Sequence, residues 1–246
     1  MLMAYMRLSV ADFYDLKKGK VLGRNYRVLE YLGSGWEGEV YKVEERKTGI
    51  IRAAKLFYHR KANGENPHIH YAKKLYKLRK CPIVIQYHFH DIIYLKKKKI
   101  DFLVSDFVDG EVLSSYIARQ KGKRLLPFEA LHLLYALTQG VEQIHFQGEY
   151  HGDIHSENIM VKKKGLGFEV HLIDLLHLGS PTKDKIQQDV YDLINIFYEM
   201  IGGATGYRYC NPHIKQFVLG RKHNLIREQF NTAGHLRLHL ENIEWD

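Results

Sequence analysis

His151-Gly152-Asp153-Ile154-His155-Ser156-Glu157-Asn158-Ile159-Met160 sets a carboxylate and a carboxamide close together on an irregular stretch. Ahead of it runs a long helical pattern, Phe128 to Gln147, with Leu131, Leu134, Leu137, Val141 and Ile144 as its apolar stripe and Pro127 at its start. Behind it two short strands flank Gly165-Leu166-Gly167. Ile173-Asp174-Leu175 then places a second carboxylate at the end of the second of these strands. Mg²⁺ prefers octahedral oxygen ligands and takes few of them from protein. Asn158 and Asp174 supply such ligands and leave Asp153 free to meet a substrate hydroxyl. Loop acids are usually solvated or capping, so this reading needs support from the rest of the chain.

That support lies upstream. Tyr26 to Tyr31 and Val40 to Glu44 read as strands joined by Gly33-Ser34-Gly35-Trp36-Glu37-Gly38, a G-x-G-x-x-G match that is weak alone. A dinucleotide fingerprint needs a helix after the glycines. Here Glu39-Val40-Tyr41-Lys42-Val43 is a strand, so the glycines form a hairpin whose backbone can fold over phosphates without side-chain obstruction. The third strand, Ile51 to Phe57, follows the Thr48-Gly49 turn and carries Lys55. A lysine in an apolar strand is costly to bury unless it meets an anion.

The remaining punctuation sets the architecture. His68 to Leu78 is helical and stops before Cys81-Pro82. Ile83 to His90 reads as a strand, and Ile92 to Leu95 and Ile100 to Phe107 as a hairpin across Lys96 to Lys99. After Val108-Asp109-Gly110 the chain turns helical: Leu113 to Arg119, the long helix, and Asp189 to Ile201 closing at Gly202-Gly203. Two or three short helices follow, one capped by Thr232. Strands followed by helices predict an α+β fold in two lobes, 1–108 and 109–246, and clefts between lobes are favoured ligand sites.

Taken together, these motifs resemble the protein kinase superfamily from Asn25 to Gly203, most closely the bacterial relatives of eukaryotic Ser/Thr kinases. The resemblance implies a single kinase-like domain binding ATP and Mg²⁺. Gly33, Gly35 and Gly38 would cover the phosphates and Lys55 would hold them. Asp153 would orient the accepting hydroxyl, with Asn158 and Asp174 on the metal. Val40 and Ala53 would roof the adenine and Met160 would floor it. Ser105 would be a small gatekeeper, and the Asp106 to Val108 backbone would bind the adenine edge. Asp189 would brace the catalytic loop. A protein Ser or Thr hydroxyl is the implied acceptor.

The departures matter as much. The helix position where the family carries a glutamate for the strand lysine is Ala72, so Glu65, Glu37 or Glu39 must substitute or Lys55 stands without one. Gly152 replaces the arginine of H-R-D and His155 the usual lysine, so that H-G-D-x-H is also similar to aminoglycoside and choline kinases. Leu175-Leu176 follows the metal aspartate in place of Phe-Gly, the segment from Asp174 to Asp189 is short, and the C-terminal helices are few. A small-molecule kinase and a non-catalytic nucleotide-binding module are the competing readings.

Composition narrows the rest. Apolar residues are 45% and charged residues 26% of the chain, which excludes global disorder. A net charge of +9 favours anionic partners without choosing among them. No nucleic-acid module is recognisable, and nucleic acid is not expected. Cys81 and Cys210 form no framework, and neither a leader over Met1 to Val10 nor a membrane span is visible, so a reducing, cytoplasmic setting is expected. His151 and His155 lack an H-E-x-x-H glutamate, His88 and His90 read as one polar strand face, and the other histidines look scattered, so no zinc is expected. Nothing in the sequence sets the oligomeric state.

Overall fold

The computed structural model describes residues 13–35, 37–58, 67–95, 97–165, 167–175 and 179–244. The readings made on Met1 to Val10, Trp36, Glu65, Lys96, Leu166 and Leu176 lie outside the described residues. The chain forms two compact units, one of residues up to Tyr76 with Gln86–Val108, the other of Lys77–Ile85 with Asp109 onwards. An antiparallel sheet with one helix precedes a mostly helical region, the α+β architecture that the order of elements predicts.

In the first unit, strands β1 (Val21–Leu22), β2 (Tyr26–Ser34), β3 (Gly38–Glu45), β4 (Ile51–Phe57), β5 (Tyr87–Leu95) and β6 (Lys98–Asp106) form a sheet in the order β1-β2-β3-β4-β6-β5, with helix α1 at Pro67–Lys77. Register sorts the side chains. Val40 lies opposite Lys55 and Lys42 opposite Ala53, while Ala53 and Lys55 lie opposite Ser105 and Leu103. Side chains alternate along a strand. Val40, Ala53, Lys55 and Ser105 therefore share one face, and Tyr41, Val43, Ala54, Leu56, Phe102 and Val104 pack the apolar core on the other. Glu39 falls on the core side, 1% exposed. It is satisfied there by Tyr14 N (2.7 Å), Tyr58 Oη (3.2 Å) and Tyr41 Oη. Burial and the Glu39 carboxylate push the Tyr41 and Tyr58 phenols well above the usual tyrosine range.

Two expectations fail in this unit. Ile83–Ile85 is not part of a strand with His90: it belongs to the second unit, where Ile83 O accepts from Leu172 N (2.7 Å) and Val84 forms an isolated bridge with Leu172. An apolar run of this length satisfies a strand pattern even where it makes only an isolated bridge to the end of another strand. A bulge between Tyr87 and Phe89 also adds a residue to β5. It turns His88 to Asp106 (2.6 Å) and leaves His90 on Asp101 (3.0 Å), on opposite faces of β6 rather than one.

The second unit holds a small sheet, β7 (Glu111–Val112), β8 (Ile159–Lys164) and β9 (Gly167–Leu172), and helices α2 (Leu113–Ala118), α3 (Pro127–Phe146), α4 (Lys183–Met200), α5 (Gly203–Arg208), α6 (Pro212–Val218), α7 (His223–Gln229) and α8 (Ala233–Glu241). The buried stripe of α3 is Leu133, Leu134, Leu137, Val141 and Ile144, while Leu131 is only half-buried. Helix α4 begins at Lys183, well before Asp189, because Thr182 caps it, accepting from Lys185 N (3.3 Å). Four helices follow α4 among the described residues, one more than the sequence suggests at most, and Thr232 caps α8 through His235 N (3.3 Å). No helix of the described residues is long and apolar enough to cross a membrane.

Candidate active site

The residues singled out from sequence fall into two sets, one in each compact unit. In the first unit, Lys55 is 8% exposed on β4. Its ammonium meets Glu37 Oε2 at 2.5 Å and lies over the rings of Tyr71 (4.9 Å) and Phe57 (5.5 Å). Of the three acids considered, Glu37 pairs with Lys55. Glu39 faces the other side of the sheet, and Glu65 lies outside the described residues. Tyr71, next to Ala72 on α1, presents its ring where the sequence suggested an acid. Neither aromatic was foreseen, since a cation–π contact has no sequence signature beyond proximity in the fold.

The glycines differ in their reasons for being there. A Cβ on Gly38 would fall 2.0 Å from Leu56 O, so close packing of β3 on β4 demands glycine. A Cβ on Gly33 or Gly35 would meet nothing of the described chain within 4 Å. The turn itself is closed by Gly35 N donating to Gly38 O (2.9 Å). Ser105 is 5% exposed on the Lys55 face. Asp106 commits its amide to Gln86 O (3.0 Å) and its carboxylate to Arg52 (2.8 Å) and His88. Val40, Ala53 and Val108 are half-buried.

In the second unit, Asp189 organises the loop. It is fully buried and accepts from His151 N (2.7 Å), Gly152 N (2.8 Å) and His145 Nε2 (3.1 Å). Gly152 has φ +88°, a left-handed conformation in which a side chain is strained. This position is thus a backbone turn as well as a departure from H-R-D. The buried His151 ring accepts from Asp153 N at Nδ1 (3.2 Å) and donates from Nε2 to Ile173 O (3.1 Å), one neutral tautomer serving both.

Asn158 Nδ2 reaches Asp153 O (3.0 Å), Asp153 Oδ2 (3.1 Å) and His155 Nε2 (2.9 Å). With the nitrogen so committed, Oδ1 is the end of the amide available to a cation. Asn158 O accepts from Ile173 N (3.0 Å), which brings Asn158 beside the residue before Asp174. Asp174 itself has φ +56°, a left-handed non-glycine costing about 1–3 kcal/mol and concentrated at functional sites. An amide oxygen and a carboxylate fit Mg²⁺ by donor type. Met160, half-buried on β8, pairs with Val112 and His171.

Two neighbours of this loop were not foreseen from sequence. Ser156 donates to Glu199 (2.7 Å). Burial, then the nearby carboxylates of Asp189 and Asp153, raise Asp192 to about 7 against a hydrogen bond from Gln188.

Comparison with known proteins bears on this geometry. A probable serine/threonine-protein kinase of Clostridium perfringens is 24% identical over 219 residues, 79% of this chain and 31% of its own length. A serine/threonine-protein kinase of Myxococcus xanthus is 31% identical over 156 residues, 63% of this chain and 18% of that protein. The chain thus spans a third or less of these relatives. Among solved structures, the PknI kinase domain of Mycobacterium tuberculosis, crystallised as a double mutant, superposes with a TM-score of 0.64 over 92% of this chain and 96% of that one, at 19% identity. Such identity speaks for the fold alone. The protein kinase domain family matches residues 26–209, three quarters of the sequence. On that match the chain belongs to the protein kinase superfamily.

Proposed function

We propose that this chain transfers the γ-phosphoryl group of ATP to a Ser or Thr hydroxyl of a protein. The observation that carries this reading is the double use of the Asn158 side chain. Its nitrogen donates to the Asp153 carboxylate (3.1 Å), and in this reading its oxygen serves as the cation ligand. In this reading Asp153, whose side chain is 41% exposed, accepts a hydrogen bond from the incoming hydroxyl and then takes its proton. Lys55, held by Glu37, neutralises the α- and β-phosphates. Gly33, Gly35 and Gly38 lend backbone to the phosphates, and Val40, Ala53, Ser105, Asp106, Val108 and Met160 receive the base. Mg²⁺ held by Asn158 and Asp174 would neutralise charge on the transferring phosphoryl group.

A second reading, phosphorylation of a small-molecule alcohol, is favoured by His155, whose Nε2 lies 3.5 Å from Asp153 Oδ2 where the family's lysine is expected. One experiment separates the two. The chain is incubated with γ-labelled ATP and generic protein substrates, or with aminoglycosides and choline, and the label is located by mass spectrometry. Label on Ser or Thr of protein supports the proposal, label only on small alcohols supports the alternative, and no transfer at all contradicts both.

A further inference from the structure

Helix α1 meets the β5–β6 hairpin through three side chains that phosphoryl transfer does not use. His68 Nε2 lies 3.4 Å and His90 Nε2 3.0 Å from one oxygen, Asp101 Oδ1. The two imidazoles stack with centroids 5.2 Å apart and planes 4° apart. One ligand atom from each of the three residues lies within 4.8 Å of the others. Donors placed tetrahedrally at zinc bond lengths of about 2.0–2.1 Å stand about 3.3 Å apart. Both nitrogen–oxygen spacings are already close to that value. His68, His90 and Asp101 are 12%, 30% and 20% exposed at the side chain, which gives water access to a fourth position.

The donor set decides the chemistry. Two imidazole nitrogens and one carboxylate oxygen suit a borderline first-row cation, whereas Mg²⁺ and Ca²⁺ favour oxygen throughout. The three residues come from three different elements, α1, β5 and β6, which is why the histidines look scattered in sequence. The regular register of the β5–β6 hairpin, with His90 opposite Leu103, sets His90 on the face of Asp101, and the bulge between Tyr87 and Phe89 takes His88 off that face.

We propose that His68, His90 and Asp101 bind one divalent cation of the Zn²⁺ class, with water as the fourth ligand, and that this cation pins α1 to the β5–β6 hairpin. The pin reaches Lys55 in one further layer. The His68 ring packs on Phe57 (5.8 Å), and Phe57 and Tyr71 are two rings flanking the Lys55 ammonium. Cation binding thereby steadies the helix that keeps Tyr71 beneath Lys55, whatever reaction Lys55 serves.

The test uses the full chain stripped of metal with a chelator and titrated with Co²⁺, then Zn²⁺. One equivalent of Co²⁺ should give the intense visible absorption of tetrahedral coordination, Zn²⁺ should displace it, and Zn²⁺ should slow amide exchange in α1. His90→Ala and Asp101→Asn should each weaken binding at least about tenfold, while His88→Ala, altered on the opposite face, should not. If either variant folds poorly, His68→Gln in the first turn of α1 should show the same loss. Absence of saturable binding, an octahedral Co²⁺ spectrum, or affinity unchanged by all these substitutions would overturn the proposal.

Discussion

The ammonium of Lys55 is neutralised at 2.5 Å by Glu37, which stands on the turn between β2 and β3. The helix that carries a glutamate for this purpose in the family offers Ala72 and, beside it, the Tyr71 ring. Side chains of the pair are 9% and 15% exposed, so the charges are largely desolvated and breaking the pair is costly. Among the described residues, the acid paired with the strand lysine thus belongs to the glycine-rich turn that is expected to cover phosphate.

Glu37→Gln should therefore destabilise the protein by about 1–3 kcal/mol and lower ATP turnover about tenfold or more, ~1.4 kcal/mol of barrier. Chemical denaturation and steady-state kinetics measure the two. Adding Ala72→Glu to that variant should restore part of the activity by supplying a carboxylate from α1. Wild-type turnover in Glu37→Gln would show that the pair has no part in the reaction.

Asp189→Ala should be among the most destabilising single changes. It strips acceptors from His151 N and Gly152 N where Asp189 is fully buried, each costing about 1–3 kcal/mol when left unmet. Thermal melting should show the loss, and hydrogen exchange should show the 151–153 amides released first. A melting point within experimental error of wild type would contradict the bracing role.

Asp192 gives the stability a pH dependence of definite sign. Burial, then the charges of Asp189 and Asp153, raise its carboxyl from 3.8 to about 7. The folded state holds this proton more tightly than the unfolded chain. Its contribution is therefore full below the unfolded value and is lost as pH rises through about 7. Asp192→Asn should raise the melting temperature above neutral pH and change it little in mild acid. Equal shifts at both ends of the range would exclude Asp192 as the group responsible.

Activity should not depend on phosphorylation of the segment after Asp174, since Gly152 offers no guanidinium to receive a phosphate. Thr182 cannot simply be truncated, because it caps α4. Ser180→Ala with Thr182→Asn removes both hydroxyls and keeps a capping side chain. Transfer by this double variant should stay within about tenfold of wild type, and a larger loss would contradict phosphorylation-independent activity.

Sequence periodicity and turn chemistry reach as far as local rules decide. Ile51–Phe57 is read residue for residue, and the Thr232 cap and the helix stop before Cys81-Pro82 follow from hydroxyl and proline chemistry. Glu39 could be separated from Glu37 only once β3 was known to begin at Gly38 with Val40 opposite Lys55, because alternation then turns position 39 to the core while position 37 stays on the turn. The bulge at Tyr87/Phe89 has no glycine or proline to announce it. What was least legible depends on tertiary convergence: Tyr71 under Lys55, His145 on Asp189, and the cluster of His68, His90 and Asp101.

The central claim rests on Asp153 acting on the acceptor hydroxyl and not on the nucleotide, and Asp153→Asn tests it most directly. Nucleotide affinity, read by titration with MgATP, and phosphoryl transfer, read with γ-labelled ATP, should be measured on the same preparation. Affinity should stay within about threefold of wild type while transfer falls by about a hundredfold or more. Near wild-type transfer by Asp153→Asn would contradict the assignment of Asp153 and the mechanism built on it.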